Sequence, residues 1–187
     1  MMGFPYSAGD VLTAASLNAS SGMVLIREET AGTNVSDLTL SNVFTSTFYN
    51  YFVTVSGGTF NTANTQLKGY LVAGGVASFS NYKNRLIYSS YTATTVLAAS
   101  STTNQAILWW GGTKANATAP VFGRLNLMGP AHTDGTFMTS DAYGTSDYSG
   151  NSSCYHSAVT AYDGIRILPE TGTMTGCVVR VYGYNNG

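Results

Sequence analysis

Residues 163–184 read DGIRILPETGTMTGCVVRVYGY. Ile165 and Ile167 alternate with Arg166, and Val179 and Val181 alternate with Arg180, so two half-buried strands flank the turn-rich PETGTM. Side chains alternate with a period of two, so the loop length decides which faces match. A two-residue turn at Thr171 and Gly172 would set Arg166 opposite Cys177 and Ile165 opposite Val178, mixing the faces. A three-residue loop of Glu170, Thr171 and Gly172 sets Ile165 opposite Cys177 and gathers the Ile, Cys and Val side chains on one face. The expectation is a hairpin with Gly172 in the left-handed region and a sheet closing around it. It holds no catalytic constellation.

Outward from this stretch the chain keeps reading as strands and turns. Residues 51–56 (YFVTVS) alternate Tyr51, Val53 and Val55 against Phe52, Thr54 and Ser56, then stop at Gly57 and Gly58. Residues 65–72, 85–90, 105–110 and 121–128 are further strand candidates, with a weaker one at 154–160. Residues 23–27 (MVLIR) lack alternation, which suits a strand covered on both sides, and 31–34 break it. Residues 61–64, 100–104, 114–119 and 139–153 read as loops. The last is long enough to suggest a functional segment. Turn clusters every 10 to 20 residues or so, with no helical periodicity after residue 22, predict an all-β antiparallel sandwich, jelly-roll-like, over residues 23–187. Residues 1–22 differ: Phe4, Pro5 and Tyr6 are extended and apolar, Thr13 can cap a short helix over 14–19, and Gly22 can end it. So short a helix needs something to pack on, which makes 1–22 a candidate docking segment.

Composition narrows the function classes. A chain of 187 residues is long enough for one sizeable core, and 44% is hydrophobic, yet only 9% is charged. A typical soluble domain has roughly a quarter. Eight basic and nine acidic residues form no long run, which argues against nucleic acid and membrane insertion as partners. A nearly uncharged surface with 13 tyrosines suits permanent contacts with protein chains, or contacts with sugars. Residues 1–10 lack the basic and apolar regions of a secretory signal. Manufacture in a host cytoplasm is therefore the expectation.

No set of residues assembles a convincing reaction centre. His132 and Asp134 supply two potential ligands where a zinc site needs three or four, and a polar turn with Gly135 at positive φ explains them better. Cys154 and His156 fall on one face of a strand, without the exposed elbow or orienting third group of a Cys-His pair. Cys154 and Cys177 read as buried reduced thiols, with a disulfide as the alternative. Asp134, Asp141, Asp147 and Asp163 are the acids open to glycoside chemistry, and none sits beside an evident aromatic platform. Trp109 and Trp110 are adjacent in a strand, so one should enter the core and the other face outward. No metal and no cofactor is implied, and the chain does not read as an enzyme.

Three blocks carry a resemblance. PYSAGDVLTAASLNASSGMVLI at 5–26 resembles the start of many tailed-phage virion appendage proteins, in which a short apolar peptide and a Leu-Asn precede the first strand. FTSTFYNYFVTVSGG at 44–58 resembles a strand pair of the same marine and cyanobacterial phage proteins, and TGTMTGCVVRVYGYNNG at 171–187 resembles their ending. The resemblance implies a trimeric β-sandwich docked on the particle through Phe4, Pro5, Tyr6, Val11 and Leu12, located in the virion and touching other virion proteins. Trp110, Tyr143, Tyr148 and Tyr155 are then the aromatics expected to contact a host surface or its glycans. A capsid decoration protein is the alternative within this class. A carbohydrate-binding module is the alternative outside it, marked by two or three coplanar exposed aromatics flanked by Asp, Asn or Arg.

Overall fold

The computed structural model describes residues 22–63, 65–92, 94–104, 107–109, 120–143 and 148–185. The N-terminal segment, its short helix, Phe4, Pro5, Tyr6, Val11, Leu12 and Trp110 lie outside these residues. The strands in chain order are β1 (Met23–Thr30), β2 (Leu38–Leu40), β3 (Asn50–Gly57), β4 (Thr59–Phe60), β5 (Leu67–Ala73), β6 (Val76–Ala77), β7 (Tyr82–Ser90) and β8 (Leu97–Asn104). They continue as β9 (Ile107–Trp109), β10 (Val121–Met128), β11 (Thr136–Tyr143), β12 (Tyr148–His156), β13 (Gly164–Pro169), β14 (Met174–Thr175) and β15 (Val178–Tyr184). All pairings are antiparallel.

Two sheets close over one core. The larger runs β1-β15-β3-β10-β11-β12-β7-β8, and the smaller runs β2-β13-β5-β6 with β9 also on β5. Alternation explains the core directly. Tyr51, Val53 and Val55 of β3, Leu125 and Leu127 of β10, and Val179 and Val181 of β15 turn inward from the larger sheet; Leu40, Leu67, Leu71, Ile165 and Ile167 meet them from the smaller. Phe44 and Phe48 pack edge-on against Tyr51, with ring centres 4.8 and 6.0 Å away. The Tyr51 hydroxyl donates to the Thr45 carbonyl and accepts from the Thr45 N–H, both at 2.6 Å, which ties the 44–49 loop to the sheet.

The expected hairpin over 163–184 does not form. Its first half is β13, hydrogen-bonded to β2 and β5 in the smaller sheet, and its second half is β15, hydrogen-bonded to β1 and β3 in the larger. Alternation fixes which side chains share a side, and facing one another across a core satisfies that as well as lying side by side. Ile165 and Ile167 therefore meet Val179 and Val181 through the core. The intervening residues are drawn into other pairings: β14 pairs with β4, and Val35 bridges to Met174. Gly172 does take positive φ, at 82°, as does Gly176 at 67°.

Two other expectations are corrected. β1 is an edge strand among the described residues, paired there to β15 alone, with Met23 and Leu25 exposed. Its apolar run does not alternate because the register shifts between Leu25 and Arg27, a bulge that turns Arg27 and Glu29 to the core side opposite Val181 and Val179, where they pair at 2.7 Å. A bulge and inward charges both discourage pairing with another chain's edge. Residues 100–104, 139–143 and 148–153 are strand rather than loop, belonging to β8, β11 and β12. In β11 and β12 the inward positions include Ser140 and Ser152, buried and hydrogen-bonded to each other, so the alternation there is invisible to a hydrophobicity pattern.

Gly58 sits at φ 64°, and a Cβ there would overlap the backbone of Cys177 and Thr175. Gly58→Ala is expected to cost about 1–3 kcal/mol in urea unfolding. Leu125→Ala, in the core, is expected to cost about 2–5 kcal/mol, whereas exposed Val76→Ala should stay within about 0.5 kcal/mol. Equal midpoints for Leu125→Ala and Val76→Ala would contradict this core.

Candidate functional site

The inward side of β7, β11 and β12 carries a polar cluster. Asn84, Thr136, Ser140, Ser152, Cys154 and His156 are all buried there. His156 is fully buried, its Nε2 3.1 Å from Ser78 Oγ and its ring 4.4 Å from Tyr82 and 5.2 Å from Tyr162. Burial pulls the His156 pKa below its ordinary value, against a backbone hydrogen bond at Ser80 that raises it. Burial pushes the Cys154 thiol up to about 12 and the Cys177 thiol up to about 11, and both cysteines are free. Cys154 and His156 do share one face, as the strand period requires. A protonated, sealed thiol is no nucleophile at neutral pH, so the pair is part of the interior.

The other acid and base candidates lie apart. His132 packs its ring 4.7 Å from Tyr49, and Asp134 is exposed. Gly135 does not have positive φ; it is glycine because a Cβ would run into the Tyr155 ring. Asp141 accepts from Arg124 Nε and, at 2.8 Å, from Asn151 Nδ2, while Asp163 accepts from the Gly74 N–H at 3.0 Å. Asp134 lies in the turn before β11 and Asp141 five residues into that strand, which strand rise alone sets roughly 15 Å beyond its start. That is too far to flank one glycosidic bond. Asp147 lies outside the described residues. Among the described residues no three His, Cys, Asp or Glu side chains gather as metal ligands.

The outward side of the larger sheet is different. Register places its side chains in rows that run across the strands. One row holds Glu28, Arg180, Thr54, Arg124, Asp141, Asn151 and Ile87. Arg180 donates to Glu28 at 2.6 Å and to Ser56 Oγ at 3.1 Å, so both arginines of the row are held by carboxylates. The next row holds Tyr182, Phe52, Asn126, Thr139, Ser153, Arg85 and Ser100. The third holds Tyr184, Met128, Phe137, Tyr155 and Lys83. Phe137 and Tyr155 lie 4.6 Å apart at 30°, and Lys83 Nζ is 5.9 Å from the Tyr155 ring centre.

The middle row is short where it crosses β11 and β12, so the face is hollowed between its neighbours. Three shallow depressions of about 350, 360 and 500 Å³ share Thr139 and together form a trough. Its floor is Asn126, Thr139, Ser153 and Arg85. One wall is Tyr184, Met128, Phe137, Tyr155 and Lys83, and the other includes Asp141, Asn151 and Ile87. Tyr184 crosses toward the floor, its hydroxyl donating to Asn126 Oδ1 at 3.2 Å.

Of the expected contact aromatics, Tyr155 stands in this trough. Tyr143 and Tyr148 lie at the ends of β11 and β12, in register with Ser149 and Ser90. The sequence reading missed Phe137, Thr139, Ser153, Lys83 and Arg85. Their signal was the alternation of Phe137, Thr139 and Asp141 against Met138 and Ser140, hidden by the polar content of 139–153.

No protein-family model matches the chain, and no curated protein matches it. Among solved structures, a crystal structure of the infectious bursal disease virus VP2 subviral particle aligns at 10% identity over 98% of this chain and 46% of that one, with a TM-score of 0.17. The structure of infectious bursal disease virus Gx strain aligns at 13% identity over 86% and 38%, with a TM-score of 0.14. The chain thus spans less than half the length of either, and scores this low carry no argument.

His156 binds fewer protons folded than unfolded between its lowered pKa and the ordinary 6.5. Its neutral burial therefore stabilises the fold fully above about pH 6.5 and loses that contribution as pH falls below it. Unfolding free energy should drop between pH 7.5 and 5.5, with a flatter slope in His156→Gln. An identical slope in the variant would refute this assignment.

Proposed function

We propose that the chain is a virion structural protein of a tailed bacteriophage, an appendage fibre or adhesin docked on the particle through residues 1–22 and presenting its sheet face outward. The observation that carries this reading is a convergence. The blocks at 5–26, 44–58 and 171–187, which resemble appendage proteins, supply β1, β3 and β15, and these are consecutive strands of the larger sheet. Segments more than a hundred residues apart thus make one structural unit. The start of β1 and the end of β15 lie side by side, since the Asn185 N–H donates to the Gly22 carbonyl at 3.2 Å and Met23 pairs with Tyr184.

The winding supports a jelly-roll-like description. The chain passes from the larger sheet to the smaller and back at β1-β2-β3, and again at β12-β13-β15. A homotrimer built through this domain follows from the same reading, and blunting of the β1 edge favours face contacts over edge-to-edge growth. The Phe137–Tyr155 pair flanked by Asp141, Asn151 and Arg85 also has the features of a carbohydrate-binding module. That second reading is compatible with an adhesin.

Light scattering coupled to size exclusion is expected to give three times the chain mass for both forms: three times 19.7 kDa for the whole chain and three times its own smaller mass for residues 23–187. Particles grown with the truncated gene should lack the protein by mass spectrometry. Monomers in both forms, with the truncated chain still on particles, would overturn the proposal.

A further inference from the structure

Among the described residues, most of the cations are ion-paired. Arg27, Lys68, Arg124, Arg166 and Arg180 each meet a carboxylate at 2.8 Å or less. Lys83 and Arg85 are different: no carboxylate partners them among the described residues. They stand two residues apart on the outward side of β7, so they are neighbours on one face and repel each other. Both border the 350 Å³ depression of the trough, which is within the range of small-molecule clefts, on the order of 300–1,000 Å³. Phe137 forms its wall with 55% of its surface exposed, beside Tyr155, whose ring is tilted 30° to it. Thr139 and Ser153 offer hydroxyls between the rings and Arg85.

We infer that this end of the trough binds an acidic saccharide, with its carboxylate or sulfate on Lys83 and Arg85 and an apolar sugar face against Phe137 and Tyr155. Each part of the ligand is dictated by a part of the site. Aromatic rings take the C–H face of a pyranose, and hydroxyls on both partners exchange hydrogen bonds. A planar guanidinium matches a carboxylate or sulfate with two parallel donors, and the ammonium of Lys83 adds charge without fixed geometry. A neutral sugar would leave two adjacent cations unsatisfied. A long polyanion such as nucleic acid would need a basic stripe, and beyond these two cations the row continues as Ser153, Thr139 and Asn126. The inference deepens the attachment reading and rests on it for the ligand's source, a charged glycan of a host surface.

The test is calorimetric titration of the whole chain with tetragalacturonate, a sulfated galactan tetrasaccharide and maltotetraose. Binding of one or both acidic sugars is expected, with none detectable for maltotetraose; which acidic sugar wins identifies carboxylate or sulfate as the anion. The Lys83→Ala/Arg85→Ala double variant and Phe137→Ala should each weaken binding about tenfold or more, as loss of charge-assisted hydrogen bonds or an aromatic contact would. Phe122→Ala, exposed on the same face outside the trough, should change it less than about twofold. All four positions are exposed, and unchanged thermal unfolding of each variant confirms folding. No binding of either acidic sugar, equal binding of maltotetraose, full binding by the double variant, or equal competition by inorganic sulfate would each overturn the inference. Absence of the chain from particles would overturn the attachment reading and leave the binding result standing.

Discussion

The register that sets Val181 beside Val53, and Val53 beside Leu125, is the constraint on which the rest of the structure depends. A slip of one residue in β15 would turn Val179 and Val181 to solvent and drive Arg180 and Tyr182 into the core. Arg180 would then be buried away from Glu28, a cost of several kcal/mol, against roughly 1.5–3 kcal/mol of apolar burial lost per valine. No alternative pairing recovers those losses. The same register also builds the outward rows, because one set of pairings fixes both sides of a sheet. Arg124 reaches Asp141, and Phe137 lies beside Tyr155, because Leu125 sits opposite Ser140 and Met138 opposite Cys154. Core and trough are two sides of one pattern.

That pattern was legible where it was written in apolar residues. Residues 51–56 and 121–128 announce β3 and β10 almost to the residue, since Tyr51, Val53, Val55, Leu125 and Leu127 have no other reason to alternate with Thr54, Ser56, Arg124 and Asn126. It was illegible where the core is polar. Ser140 and Ser152 hydrogen-bond to each other inside the sheet, which offsets much of the cost of burying them, yet the sequence looks like a loop. The trough was missed for the same reason, since Thr139 and Ser153 are its floor. The 163–184 stretch failed differently. Parity assigned its inward residues correctly, and only pairing that spans the whole chain decides whether two inward faces lie beside or opposite one another.

The interior polar cluster and the outward charged row differ in consequence. Inside, water is excluded, so an unpartnered group costs heavily and a buried His156 must stay neutral. Outside, Arg124 and Asp141 are both partly exposed, and such a pair contributes about 0–1 kcal/mol. Its effect is positional. Arg124 and Asn151 hold Asp141 from two sides, which keeps one wall of the trough upright at little energetic gain.

Sparse charge makes the remaining unpaired groups dominate the local field. In a protein with a quarter of its residues charged, two bare cations would be lost among neighbours of both signs. Here paired side chains form near-neutral dipoles whose fields fall off quickly, and the Debye length of roughly 8–10 Å limits the reach of anything farther away. Among the described residues of β7, Lys83 and Arg85 are then the charges that contribute most to the potential over that strand. Beside them the sheet offers rings and hydroxyls rather than more charge, so the face selects ligands that are anionic at one point and amphipathic elsewhere. A surface with more lysines would attract anions more strongly and discriminate among them less.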